Sequence, residues 1–340
     1  MPSLMLTEAD QSADVVARLQ SSAAPALSEL RARLAQRDIR MVTTAARGSS
    51  DHAASVFKYL VELGTGLPVA SIGPSVASVY GRPLRLEGAL HVTVSQSGAS
   101  PDITALQAAA KAGGALTLAV VNVADSPVAR AADIVIDIGA GPERSVAATK
   151  SFIASVAALA GVAVAAGAGD ALAAGLTRLP DALAATAGIH APAVVDLLTH
   201  AGSLYVAGRG PGYGIAQEAA LKAKETAALH AEAFSLAELM HGPARLVGAG
   251  FPVVAFVPDD AAFDGNAAAL LQLAAMGAPT VAVSSRPLPG VAVRVPDTGC
   301  GLLDPVVGLL VWYRLIEAAS RARGHDPDRP VNLHKVTRTV

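Results

Sequence analysis

The chain has 340 residues, 52% of them hydrophobic, which gives it enough core for two ordinary domains and excludes a disordered polymer. A formal charge of −2 supplies no general field for nucleic acid, and Cys300, the only cysteine, excludes an intrachain disulfide or a cysteine metal cluster. Charged residues are only 16% of the chain, which points to surface covered by another subunit or to exposed alanine.

Residues Met1 to Asp14 include acidic residues and lack the basic-then-apolar order of a signal peptide. A helix is expected over Val15–Ala35, from Leu19, Leu27, Leu30 and Leu34. The early basic cluster Arg31, Arg33, Arg37 and Arg40 reads as a solvated helix face. A strand follows over Ile39–Ala45, then Arg47-Gly48-Ser49-Ser50 and a helix over Asp51–Leu63. Further strands are expected at Val69–Ile72, Leu90–Ser95, Leu116–Val121 and Ile134–Ile138, with helices at Asp102–Ala112 and Thr149–Ala166. This alternation is that of an α/β fold with a parallel sheet flanked by helices. The run Phe152–Leu172 is rich in Ala and Gly and carries Ser155, so a buried helix is expected rather than a membrane span, and with it a cytoplasmic location.

Turn formers between Leu179 and Pro192 mark a link between domains. Beyond it come strands at Ser203–Ala207, Val253–Val257, Thr280–Ser284 and Val291–Val295, and a helix from Tyr213 to about Leu229. An offset of 162 lays Arg47 on Arg209, Val92–Ser95 on Val254–Val257 and Ala119–Asn122 on Val281–Ser284, as a duplicated α/β domain would. The expected division is an N-terminal helical segment (1–36), a first domain (37–180), a second domain (193–323) and a polar tail (324–340).

Ligands of parallel sheets bind beyond the carboxyl ends of the strands, where Gly48-Ser49-Ser50 and Ser95-Gln96-Ser97-Gly98-Ala99-Ser100 fall. Hydroxyls and free N–H groups at a helix start suit a phosphate, although serine caps alone would also explain them. Neither loop carries a nucleotide fingerprint. Lys150 reads equally well as a solvated helix residue. Lys222 and Glu225, three apart on a helix, share a face, as a surface ion pair also would. His230, Glu232, Glu238 and His241 have no zinc spacing, and His241 before Gly242-Pro243 sits in a turn, where it can act as an acid or base.

Taken together, Ser95-Gln96-Ser97-Gly98, Ala148-Thr149-Lys150, Lys224-Glu225, His230-Ala231-Glu232-Ala233, His241-Gly242-Pro243 and Asn332-Leu333-His334-Lys335 resemble the sugar isomerase (SIS) family. The resemblance runs from about Arg37 to Val340. It is to two SIS domains in tandem, each a flavodoxin-like three-layer sandwich, as in the isomerase half of glutamine–fructose-6-phosphate aminotransferase and in SIS-type glucosamine-6-phosphate deaminases. It implies a sugar phosphate held by Ser49, Ser50, Ser95, Gln96, Ser97 and Ser100, with Val146, Ala148 and Thr149 lining the sugar pocket. Glu225 would move a proton between C1 and C2 with Lys222 as its helper. His241 would open the ring, reached from the second subunit of a homodimer with shared sites, and Lys335 would meet the open-chain sugar. No metal or redox cofactor, nucleic acid or membrane partner is implied.

Two departures bear on substrate choice: Ala99 stands where the synthase carries an acidic residue, and Met240 where it carries lysine. About 36 residues precede the first strand, none a cysteine, so glutamine is not the expected ammonia donor unless a separate subunit supplies it. The expected activity is deamination of glucosamine 6-phosphate to fructose 6-phosphate and ammonia. The alternatives are an aldose–ketose isomerase that releases no ammonia and a non-catalytic sugar-phosphate sensor. Val331, Leu333 and Val336 are expected to pin the tail and bring Lys335 to the sugar.

Overall fold

The computed structural model describes residues 2–288 and 290–335. Three helices open the chain: α1 (Leu4–Asp10), α2 (Ser12–Ser22) and α3 (Ala24–Leu34). The single helix expected over Val15–Ala35 is therefore divided at Ala23. Pro25 has no N–H to continue the ladder from α2, yet it is tolerated in the first turn of α3.

Residues 14–143 and 151–173 form one compact unit. In chain order it carries β1 (Met41–Ala45), α4 (Ser49–Thr65), β2 (Val69–Ser71), α5 (Ser75–Ser78), β3 (Ala89–Ser95), α6 (Pro101–Ala112), β4 (Leu116–Val121), α7 (Pro127–Ala131) and β5 (Ile134–Asp137). The strands pair in parallel in the order β2-β1-β3-β4-β5, with Val42 opposite both Val69 and Leu90 and with Val94 opposite Val120. Strands β3 and β4 are buried at every residue, which is why they read as unbroken runs rather than alternating ones.

Helices α8 (Lys150–Ala165) and α9 (Asp170–Ala184) follow. They break the apolar stretch Phe152–Leu172 at Gly167 and Gly169, both in the left-handed region, and no described helix is long and apolar enough to cross a membrane. Pro180 lies inside α9, so the chain stays helical to Ala184 through what was expected to be a turn.

The other unit comprises residues 2–13, 144–150 and 174–335. It carries α10 (Pro192–His200), β6 (Ser203–Gly208), α11 (Pro211–Ala227), β7 (His230–Ser235), α12 (Leu236–Leu239), β8 (Val253–Phe256), α13 (Phe263–Ala275), β9 (Thr280–Ser284), β10 (Val291–Arg294) and α14 (Asp304–Ala322). Its parallel sheet runs β10-β9-β8-β6-β7, the order of the first sheet read from the other edge. Duplication is thus a matter of topology, and it extends to single residues. Helices α4 and α11 run from 49 to 65 and from 211 to 227, and the glycines before them share one backbone conformation. Gly48 has φ 54°, ψ −132° and Gly210 has φ 58°, ψ −135°, a region open almost only to glycine.

Among the elements that were not expected, two bear on the site. The stretch that forms strand β7 was read only as candidate metal ligands without zinc spacing and as one of the family's motifs. Helix α14 packs along α11, where the Trp312 indole donates to the Ala219 carbonyl at 3.1 Å and the Ser320 hydroxyl to the Thr226 carbonyl at 2.6 Å. It fixes the helix that carries Lys222 and Glu225.

Candidate active site

In a sheet of order 2-1-3-4-5 the chain leaves β1 and β3 toward opposite edges, so a crevice opens between the ends of these two strands. The sequence places Ser49 and Ser50 after β1 and Ser95 to Ser100 after β3, one group on each lip. Ser49 and Ser50 begin α4, both partly buried.

On the other lip the Ser95 hydroxyl oxygen accepts the Gly98 N–H at 3.1 Å and that of Ser97 accepts the Ala99 N–H at 3.3 Å. Each leaves an O–H that can donate outward. Gly98 has φ 59°, and a Cβ there would lie 2.0 Å from the Ser126 hydroxyl, so the loop needs glycine twice over. Ser100 is the N-cap of α6, and its hydroxyl makes no cap bond. Gln96 and Ser97 are partly buried.

A further pair joins the lips. Arg47 donates from Nε and Nη2 to Oδ2 of Asp102, at 3.1 and 3.0 Å, and the Asp102 side chain has no exposure at all. The serine hydroxyls of both lips and the N-terminus of a 12-residue helix suit a phosphate dianion.

In the other unit Lys222 is wholly buried, which overturns the reading of Lys222 and Glu225 as a surface ion pair. Its Nζ lies 3.2 Å from Glu218, also buried, and 2.5 Å from Oε2 of Glu225. Positions 218, 222 and 225 share one helical face. Burial alone would lower the Lys222 pKa, but the two carboxylates outweigh it and raise it. Lys222 is therefore a fixed ammonium at neutral pH, donating to Glu225. Glu225 keeps about a fifth of its side chain exposed and lines a cleft of about 580 Å³ with Lys224, Ala228, His325, Asp326, Arg329 and residues 330–333.

His241 precedes the 3₁₀ turn Gly242–Leu246, is exposed, and is not among the residues lining that cleft. The Tyr205 hydroxyl steadies the turn by donating to the Pro243 carbonyl at 3.2 Å. Lys335, partly buried, follows two residues after Leu333 of the cleft wall.

The tail is not held as expected. Val331 and Leu333 are 83% and 41% exposed, and Val336 lies outside the described residues. The chain is fastened instead at Asp328, whose carboxylate accepts the N–H groups of Leu4 and Met5, both at 2.8 Å. Thr149 is fully buried, while Val146 and Ala148 are partly exposed. Lys150 is not a solvated residue. It is buried and donates to Oε1 of Gln11 at 2.8 Å.

A profile of the SIS domain matches residues 34–165 and 197–291, two copies covering most of the chain. The chain belongs to the SIS-domain family. It is 35% identical over 318 residues to the isomerizing glutamine–fructose-6-phosphate aminotransferase of Symbiobacterium thermophilum, a match covering 88% of this chain and 52% of that protein. The chain thus spans about half the length of the curated relatives it matches. Among solved structures, a Silicibacter pomeroyi DSS-3 protein provisionally assigned as a phosphosugar isomerase superposes with TM-score 0.92 and 43% identity, covering 96% of this chain and 100% of that one. A glucosamine-6-phosphate deaminase from Thermotoga maritima shares the fold, with TM-score 0.76, 19% identity and coverage of 99% and 100%. The SIS fold here is of the sugar-phosphate-isomerase type.

Within the SIS chain, Glu218 was missed although it lies on the same helical face as Lys222, four residues earlier. Arg47 with Asp102 was also missed, because their 55-residue separation leaves no local signal.

Proposed function

We propose that this SIS chain is an enzyme that moves a proton between C1 and C2 of an amino-sugar phosphate, and that its reaction is deamination of glucosamine 6-phosphate. The observation that carries the reading is Glu225 at the rim of its cleft, hydrogen-bonded to an ammonium pinned between two carboxylates. A carboxylate so placed is held in one rotamer and has a donor ready when it carries charge.

The phosphate is assigned to Ser95, Gln96, Ser97 and Ser100, with Ser49 and Ser50 opposite, which fixes the register of the sugar. His241, supplied by a second copy in a homodimer, opens the ring. Glu225 then removes the proton from C2 of the open aldehyde and returns one to C1 through an enolamine. The product is a C2 imine; water adds to it, ammonia leaves, and fructose 6-phosphate remains. Lys335 is assigned to the open-chain oxygen, where its ammonium stabilises developing negative charge. The relationship to an aminotransferase named for fructose 6-phosphate supports this chemistry, since release of ammonia is that amination run backward with water.

A second reading is isomerisation of a phosphosugar without ammonia, favoured by the assignment of the 43% identical Silicibacter protein. One assay separates the two. Purified protein with glucosamine 6-phosphate is expected to give equal amounts of ammonia and fructose 6-phosphate. Conversion of hexose phosphates with no ammonia from any amino-sugar phosphate would transfer the assignment to the isomerase. Inertness toward both classes would remove the enzyme reading.

A further inference from the structure

Helix α1 ties together two segments, one that the family resemblance places at the sugar pocket and one that leads to Lys335. Glu8 is buried, and its carboxylate accepts three hydrogen bonds: from Arg144 N–H at 2.5 Å, Ser145 N–H at 3.1 Å and the Ser145 hydroxyl at 2.6 Å. Three residues on, Gln11 accepts from Lys150 Nζ at 2.8 Å. The loop is held at both ends, and Val146, Ala148 and Thr149 lie between the two anchors. At its start, α1 is capped by Asp328 through the N–H groups of Leu4 and Met5. Asp328 stands seven residues before Lys335. On the exposed side of the helix, Asp10 pairs with Arg314 of α14 at 2.9 Å.

We infer that Glu8 is a positioning residue for the sugar pocket, and that α1 is the strut that sets residues 144–150 and the approach to Lys335 against each other. The inference rests on the proposed function's placing of Lys335 at the sugar and on the family resemblance, which implies that Val146, Ala148 and Thr149 line the pocket. The chemistry of Glu8 argues against a mere helix staple. A staple needs apolar area or an exposed ion pair, which Asp10 already supplies. A buried carboxylate is retained where several donors converge and only an acceptor-only group satisfies them all. Glutamine has the same shape, but its amide NH₂ would face N–H or O–H donors.

The test compares Glu8→Gln with Asp10→Asn in the full chain, each assayed well below its melting temperature. Glu8→Gln is expected to lower kcat on glucosamine 6-phosphate by about 10–100-fold, the scale of a slightly misplaced reacting group. Competitive inhibition by inorganic phosphate should stay within about twofold, because the phosphate is assigned to the loop after β3. Asp10→Asn loosens the same helix without touching the loop and should keep kcat within about threefold. Hydrogen exchange should quicken at the amides of Arg144 and Ser145 in Glu8→Gln and not in Asp10→Asn. Unchanged kcat in Glu8→Gln, or an equal loss in both variants, overturns the inference. If the wild-type protein turns over no sugar phosphate, the proposed reaction falls by itself. Exchange then decides on the strut, and unchanged rates at Arg144 and Ser145 overturn it.

Discussion

His91 shows how firmly one residue can be committed by its surroundings. It is fully buried on β3, with Nδ1 2.9 Å from the Thr43 hydroxyl and Nε2 3.2 Å from that of Thr93, which in turn bonds Gln107. Burial lowers its pKa from 6.5 to about 4. Between those values the unfolded chain holds the proton and the folded chain does not, so stability rises with pH across the window and is lost as pH falls. The loss by pH 4 is roughly 3 kcal/mol. Urea midpoints measured at pH 7, 5.5 and 4.5 should fall more steeply for the wild type than for His91→Gln; parallel slopes would refute this. Lys222 makes a different commitment, because removing it takes an ammonium away from the buried carboxylate of Glu218. Lys222→Ala should cost about 3–5 kcal/mol of stability and abolish turnover. The pair Glu218→Gln with Lys222→Met should regain most of the stability and none of the turnover. Recovery of both would show that Lys222 only fills space.

At the scale of elements, Ala228 ends α11 in the left-handed region at φ 47°, with its N–H on the Ala223 carbonyl. A Cβ is disfavoured there, and glycine is the usual occupant of such a C-cap. Ala228→Gly is expected to stabilise the protein by about 0.5–1 kcal/mol, read as a higher denaturant midpoint with an unchanged slope. The strands were legible because a strand buried on both faces is written as a run of Val, Leu, Ile and Ala, and β3, β4 and β9 needed little more. Strand β7 was not legible. It lies at a sheet edge and alternates exposed His230 and Glu232 with buried Ala231, a pattern that looks like a row of functional groups. The same limit governs the site. Lys222 with Glu225 is a spacing on one helix, whereas Glu8 meets Ser145 across 137 positions, a distance that only the folded chain closes.

For the whole molecule, the proposed reaction places His241 of one copy in the site of a second. Glu225→Ala and His241→Ala should each be inactive alone. After subunit exchange, a mixed dimer holds one site with both residues intact, so up to about a quarter of wild-type activity should return under statistical mixing. Proven exchange with no recovered activity would place both residues in one subunit's site. The cap that Asp328 places on α1 has a further bearing, on the order in which this chain can be finished. The bond from Leu4 N–H to Asp328 spans 324 positions, and the unit that contains both is assembled from three stretches of chain. At roughly 5–20 residues per second, a ribosome that has made α1 needs on the order of 15–65 s to reach Asp328. Helix α1 therefore gains this cap late, and nascent chains stalled short of residue 328 should leave its first turn open to protease while the sheet β2-β1-β3-β4-β5 is already closed.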